Sequence, residues 1–233
     1  MKTFKNHWIF YILLTIIFII TYSYTFNEKL FLGGDNAAYY SLAKSIANGF
    51  NYIDYYSPTN LPANHFPPGL PFLMAIPIKL GVDSLVGLKV YMGLFLLGSV
   101  LLTYAISIRL LKNQIVSFLL AIAACWNMHL LEYGSITMSE VPYLFFLLLT
   151  FYCFMRFCDE QYPIKSINFV IMLIGTVAVV YIRTQGIAVL GAIIFYLVMK
   201  KQWKPILFLI GFFVVSYGPW QIRSSSLGGS SYV

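Results

Sequence analysis

VGLKVYMGLFLLGSVLLTYAISIR, residues 86–109, and VPYLFFLLLTFYCFMRFC, residues 141–158, are apolar almost throughout and show no alternation of polar and apolar positions. About 20 apolar residues in a helix cross the hydrocarbon core of a bilayer. In lipid, only helices and closed barrels satisfy every backbone N–H and C=O. Both stretches therefore read as membrane-spanning helices.

Working outward, residues 8–25, 114–131, 167–184 and 203–221 have the same character, and a shorter stretch, 186–199, follows Gly186 closely. The apolar piece 67–80 differs: it is short and carries Pro68, Pro71 and Pro77, so it reads as an interfacial or half-inserted helix. The expected fold is an all-α integral membrane protein with about seven transmembrane helices and a long first extracytoplasmic loop containing short helices.

Composition agrees. The chain is 60% hydrophobic and 10% charged, with a mean hydropathy of +0.78, against roughly 25% charged residues in soluble domains. That excludes an ordinary soluble domain. Lys2 and Lys5 precede the first apolar stretch, but Tyr22-Ser23-Tyr24-Thr25-Phe26 offers no small-residue cleavage site, so this is an uncleaved span. Cys125, Cys153 and Cys158 lie in or at the end of apolar segments without metal or disulfide spacing and read as buried thiols.

The net charge of +7 could signal nucleic acid, yet its placement argues for orientation. With the N-terminus in the cytoplasm, the seven-span topology puts nine of the 15 basic residues inside, with only Asp159 and Glu160 among the acids. The other face takes six basic residues and six acids and is neutral. The partners this implies include the lipid bilayer and no nucleic acid. The expected localisation is a cell membrane, crossed several times, with the N-terminus in the cytoplasm.

Nothing about insertion requires acids on the outer face, so its loops carry the functional information. The longest covers residues 26–66. Gly33-Gly34-Asp35 opens a helix whose Tyr39, Leu42, Ala43 and Ile46 share one face, with Asp35 at its N-cap and Gly49 past its end. Later come His65-Phe66-Pro67-Pro68-Gly69-Leu70-Pro71, Met138-Ser139-Glu140-Val141-Pro142 at the start of a span, Arg183-Thr184-Gln185-Gly186, and Pro219-Trp220-Gln221-Ile222-Arg223.

Together, in this order and each at the outer end of a span, these motifs resemble the GT-C superfamily of polyprenyl-phosphate-dependent glycosyltransferases. The relatives are protein O-mannosyltransferases, lipid A aminoarabinose transferases and bacterial dolichyl-phosphate-mannose-type transferases. The resemblance implies a membrane domain over residues 1–223, the N-terminal part of a typical member, followed by a loop at 224–233 that ends the chain. It implies transfer of a sugar, with inversion, from a polyprenyl-phosphate donor to a lipid, glycan or protein acceptor. Asp35 would be the proton-accepting carboxylate, Glu140 a second acid, and His65 and Arg183 contacts to the donor phosphate, with Tyr39 lining the sugar site. A divalent metal held by Asp35 is compatible with the resemblance and not required by it.

Plainer roles stand beside these. Asp35 caps a helix in many proteins without doing chemistry, Glu140 complements a helix dipole, His65 is a loop histidine, and Arg183 or Arg223 snorkels to headgroups. Two other classes stay open at this level: a transporter or lipid flippase, and an inactive truncated remnant.

Overall fold

The computed structural model describes residues 7–29, 34–49, 52–56 and 62–228. Lys2, Lys5, Gly33 and the chain end from residue 229, all named above, lie outside the described residues. The described residues are helical, apart from turns and one isolated bridge between Ile53 and Pro62.

In chain order the helices are α1 (His7–Thr25), α2 (Asn36–Gly49), α3 (Gly69–Lys79), α4 (Leu85–Leu111), α5 (Gln114–Cys125), α6 (Met128–Gly134), α7 (Glu140–Asp159), α8 (Ile167–Ile182), α9 (Ile187–Met199) and α10 (Trp203–Ser226). Four of them, α1, α4, α7 and α10, are long and apolar enough to cross a membrane, and α5 with α6 makes a fifth if the bent pair is one span. At 1.5 Å per residue α8 and α9 reach only roughly 24 and 20 Å, short of a full bilayer core.

Local chemistry sets the helix ends. Ser84, Asn113, Asn127 and Ser166 each accept a hydrogen bond from a first-turn N–H through the side chain. Within the apolar helices Thr15, Ser99, Thr103, Thr150 and Thr176 donate their hydroxyls to the carbonyl four residues back, which leaves no hydroxyl proton facing apolar surroundings.

Two sequence expectations are corrected. The stretch 114–131 is not one straight helix: α5 ends at Cys125 and the chain turns by 58° into α6. Asn127 accepts from Leu130 N at 3.1 Å and so starts a new helix in place of continuing the old one. Likewise residues 224–226 are not loop, because α10 runs through Pro219 to Ser226. Ser224 is buried, and its carbonyl accepts from the Asn64 side chain at 3.1 Å.

The helix ends sort onto two faces. At one, Tyr22 near the end of α1 places its hydroxyl between the carbonyls of Lys89, 3.0 Å away, and Gly134, 2.7 Å away. The buried Lys89 ammonium donates to the carbonyls of Asn27 and Lys29, both at 2.6 Å, just beyond α1. On the opposite face Arg109 of α4 pairs with Asp159 of α7, and Arg156 lies 3.7 Å from Glu160. The α2–α3 layer covers the first face, packing Leu42, Ala43 and Ile46 against Leu70, Met74 and Ile78.

Close approach of α3 to the end of α8 depends on Gly69. A Cβ there would fall 2.5 Å from the Tyr181 carbonyl carbon and 2.6 Å from Ile182 N. Backbone cannot step aside as a flexible side chain does, so Gly69→Ala is expected to destabilise by about 1–3 kcal/mol. A lowered melting temperature of the purified protein, alongside an equal or higher value for Gly191→Ala, where a Cβ meets open space inside α9, checks this.

Candidate functional site

A cavity of about 130 Å³ opens on the face covered by α2 and α3. Asp35, Tyr39, Phe66, Pro67, Met138, Ser139, Glu140, Ile182, Arg183, Thr184 and Gln185 line it. Four of the five sequence-derived site residues therefore meet in one place, although they come from three distant parts of the chain.

Each is placed by a short-range device. Asp35 precedes α2, and its backbone carbonyl accepts from Tyr39 N at 2.9 Å. The Asp35 carboxylate accepts no hydrogen bond from the described residues, so no helix-capping bond occupies it. Tyr39 lies one turn further on the same side, is buried, and touches the Phe66 ring at 4.8 Å between centroids. Burial pushes its phenol up from the ordinary value; the nearby Asp35 and Glu140 carboxylates add to this, while its hydrogen bond with Ser139 and the Arg183 guanidinium oppose it. Tyr39 is thus a neutral hydrogen-bonding group at neutral pH.

Glu140 is the first residue of α7, where the helix dipole favours an anion. Arg183 follows the last turn of α8 in an extended conformation (φ −147°, ψ 131°). A 3-10 turn at Thr184–Gly186 then reverses the chain into α9, with Gly186 N donating to the Arg183 carbonyl at 2.9 Å. That turn is tight because Gly186 presses on α8: a Cβ would lie 2.5 Å from the Val179 carbonyl carbon. Gly69 and Gly186 together fix the corner from which Arg183 projects.

The central contact joins Arg183 Nη1 to Glu140 Oε1 at 2.5 Å, and the same nitrogen donates to Ser139 Oγ at 3.1 Å. Both side chains are about 30% exposed (30% and 31%), so the pair is neither buried nor freely solvated. The second carboxylate oxygen, Oε2, is shielded from solvent and has no hydrogen-bond partner among the described residues. On Arg183, Nε and Nη2 have no protein partner among the described residues. A planar guanidinium held by one corner in this way keeps an edge for a bidentate anion.

Glu140 is thus one half of an ion pair with Arg183, a contact that its place in the sequence alone does not show. His65 is not among the lining residues: it is exposed, with its ring edge-on to Phe66 at 4.6 Å, and only Phe66 and Pro67 of its motif reach the cavity. Sequence reasoning does not single out Ser139, Thr184 and Gln185, although they sit inside the motifs that carry their charged neighbours. Among the described residues no three His, Cys, Asp or Glu side chains are arranged to hold a metal ion.

Arg223 serves another end. From α10 it donates to the Ala63 carbonyl at 3.0 Å and to the Tyr52 carbonyl at 3.1 Å, and its guanidinium lies 5.4 Å from the Tyr52 ring and 5.1 Å from the Trp220 ring. It fastens the segment that leads into Phe66 and Pro67. Charge-assisted hydrogen bonds contribute about 1.5–3 kcal/mol, so Arg223→Ala is expected to speed protease cleavage between Tyr52 and Phe66 by at least about tenfold. Timed digestion of the purified protein followed by mass spectrometry reads it.

Comparison of the chain with protein-family models, with curated proteins and with solved structures returns no match.

Proposed function

We propose that the chain is a membrane glycosyltransferase that moves a sugar from a polyprenyl-phosphate donor to an acceptor hydroxyl on the extracytoplasmic side. The observation that carries this reading is the convergence of Asp35, Tyr39 and the Glu140–Arg183 pair in one cavity at one end of the helices. A carboxylate and a half-engaged guanidinium in one cavity are the groups that such a transfer needs.

In this reading Asp35 accepts the proton of the acceptor hydroxyl as its oxygen attacks the anomeric carbon. The bond between that carbon and the donor phosphate oxygen breaks, and the electron pair leaves with polyprenyl phosphate. Arg183, oriented by Glu140 and Ser139, receives the growing phosphate charge on Nε and Nη2. Attack from the face opposite the phosphate inverts the anomeric centre. Tyr39, a neutral phenol, hydrogen-bonds the sugar or phosphate. His65, exposed beside Phe66, is a headgroup contact. Sugar donor, acceptor and proton balance without a metal.

Orientation follows from charge. The face opposite the cavity carries Arg109, Lys112, Arg156, Lys165, Lys200, Lys201 and Lys204 against two acids, an excess that supports reading it as the cytoplasmic face. The seven-span arrangement takes α5 with α6 as one crossing and α8 and α9 as two short ones. A transporter reading gains little, since transporters break their helices near the bilayer midplane. Here the α5–α6 break lies beside the last turns of α1, where Trp126 Nε1 donates to Thr21 Oγ1 at 3.2 Å.

The test is transfer of label from a panel of radiolabelled polyprenyl-phosphate sugars by membranes containing the chain. Label reaching acceptor above the level of membranes without the chain is the expected result. Label that stays on every donor removes this reading.

A further inference from the structure

A second cavity, of about 390 Å³, lies on the other side of the first turn of α2. Asp35 and Tyr39 line the first cavity, whereas Asn36, Ala37 and Tyr40 line the second. The stretch before α7 divides in the same way, Thr137 facing the second cavity and Ser139 the first. One helical turn separates the two.

Its chemistry differs from that of the first. The rings of Tyr40 and Tyr56 are nearly parallel (17°), with centroids 6.4 Å apart, and Tyr55 meets Tyr56 edge-on at 5.3 Å. Tyr56 is 62% exposed, which packing does not explain. Leu85 and the buried Leu88 form the floor at the head of α4. Asp83 is fixed there: Oδ1 accepts from the Tyr40 hydroxyl at 2.9 Å, and Oδ2 accepts from Lys44.

That combination selects its ligand. Lys44 already neutralises Asp83, so a cation gains little. The carboxylate repels an anion. What suits the cavity is a neutral ring with hydroxyls at its edge and polarised C–H bonds on its face. The C–H face packs on the electron-rich tyrosine ring, and the hydroxyls donate to the carboxylate, whose oxygens have lone pairs to spare beyond the two bonds they accept. The volume is in the range of small-molecule sites, about 300–1,000 Å³.

We propose that this second cavity binds the neutral sugar unit of a glycan or glycolipid acceptor and presents it toward Asp35 across the start of α2. Assigning the sugar to the acceptor rests on the glycosyltransferase reading; the binding of a neutral sugar does not.

The test is saturation-transfer NMR on the protein in phosphatidylcholine nanodiscs. The probes are the methyl glycosides of glucose, galactose and mannose, with glycerol as the control. At least one glycoside is expected to show saturation of its ring protons well above glycerol. Tyr56→Ala should weaken binding at least tenfold, and Tyr56→Phe, which keeps the ring, should retain it. No glycoside exceeding glycerol, or equal binding by Tyr56→Ala, would overturn the proposal. Sugar binding that needs Tyr56 in a chain without transfer activity would sink the enzyme reading and keep this site. Transfer with an acceptor KM indifferent to Tyr56→Ala would do the reverse.

Discussion

Arg183→Lys is expected to lower kcat/KM for the polyprenyl-phosphate donor about 100-fold, roughly 2.7 kcal/mol of transition-state stabilisation, while the protein stays folded. The two cations are not equivalent here. Arg183 gives one nitrogen to Glu140 and Ser139 and keeps Nε and Nη2 for the ligand. A lysine ammonium is a single point charge, and satisfying Glu140 would draw it from the phosphate. Initial rates at varied donor concentration, together with a melting curve, check this. Full activity in the lysine variant would reduce Arg183 to a partner of Glu140 and leave the leaving group without its cation.

Much of the helical frame is legible in the amino-acid sequence alone. Residues 8–25, 86–109 and 141–158 lie within a residue or two of α1, α4 and α7, because long apolar runs closed by Ser84, Lys112 and Glu140 leave little freedom in where a helix begins and ends. The break at Asn127 is hidden by the apolar residues around it. Only the side chain's choice between capping a new helix and facing lipid reveals it. The run Ser224-Ser225-Ser226 looks like loop by composition. It is helix because Arg223 and Ser224 are bound to residues some 160 positions earlier, a tertiary contact that composition does not carry.

The site divides along the same line. Asp35, Tyr39, Glu140 and Arg183 stand out in sequence as charged or aromatic residues at helix ends. That Glu140 holds Arg183 is a distance between two helix termini, and no local pattern contains it. The glycines of the Pro67-Pro68-Gly69 and Arg183-Thr184-Gln185-Gly186 motifs are equally visible, but their reason is not. Each lets backbone meet backbone beside Arg183, a packing demand with no signature in spacing or hydropathy.

The largest effect belongs to Asp35. General-base catalysis contributes about 10²–10⁴-fold, and an amide cannot take the proton, so Asp35→Asn is expected to slow transfer about 1,000-fold. The replacement keeps the shape of the side chain, and the carboxylate makes no hydrogen bond to the described residues, so insertion and melting temperature should not change. The measurement is therefore transfer from radiolabelled polyprenyl-phosphate sugars by membranes holding equal amounts of wild type and Asp35→Asn. Label that moves to acceptor with the wild type and stays at background with the variant is the predicted result. Equal transfer by the two would contradict the role given to Asp35 and, with it, the placement of the reaction in this cavity.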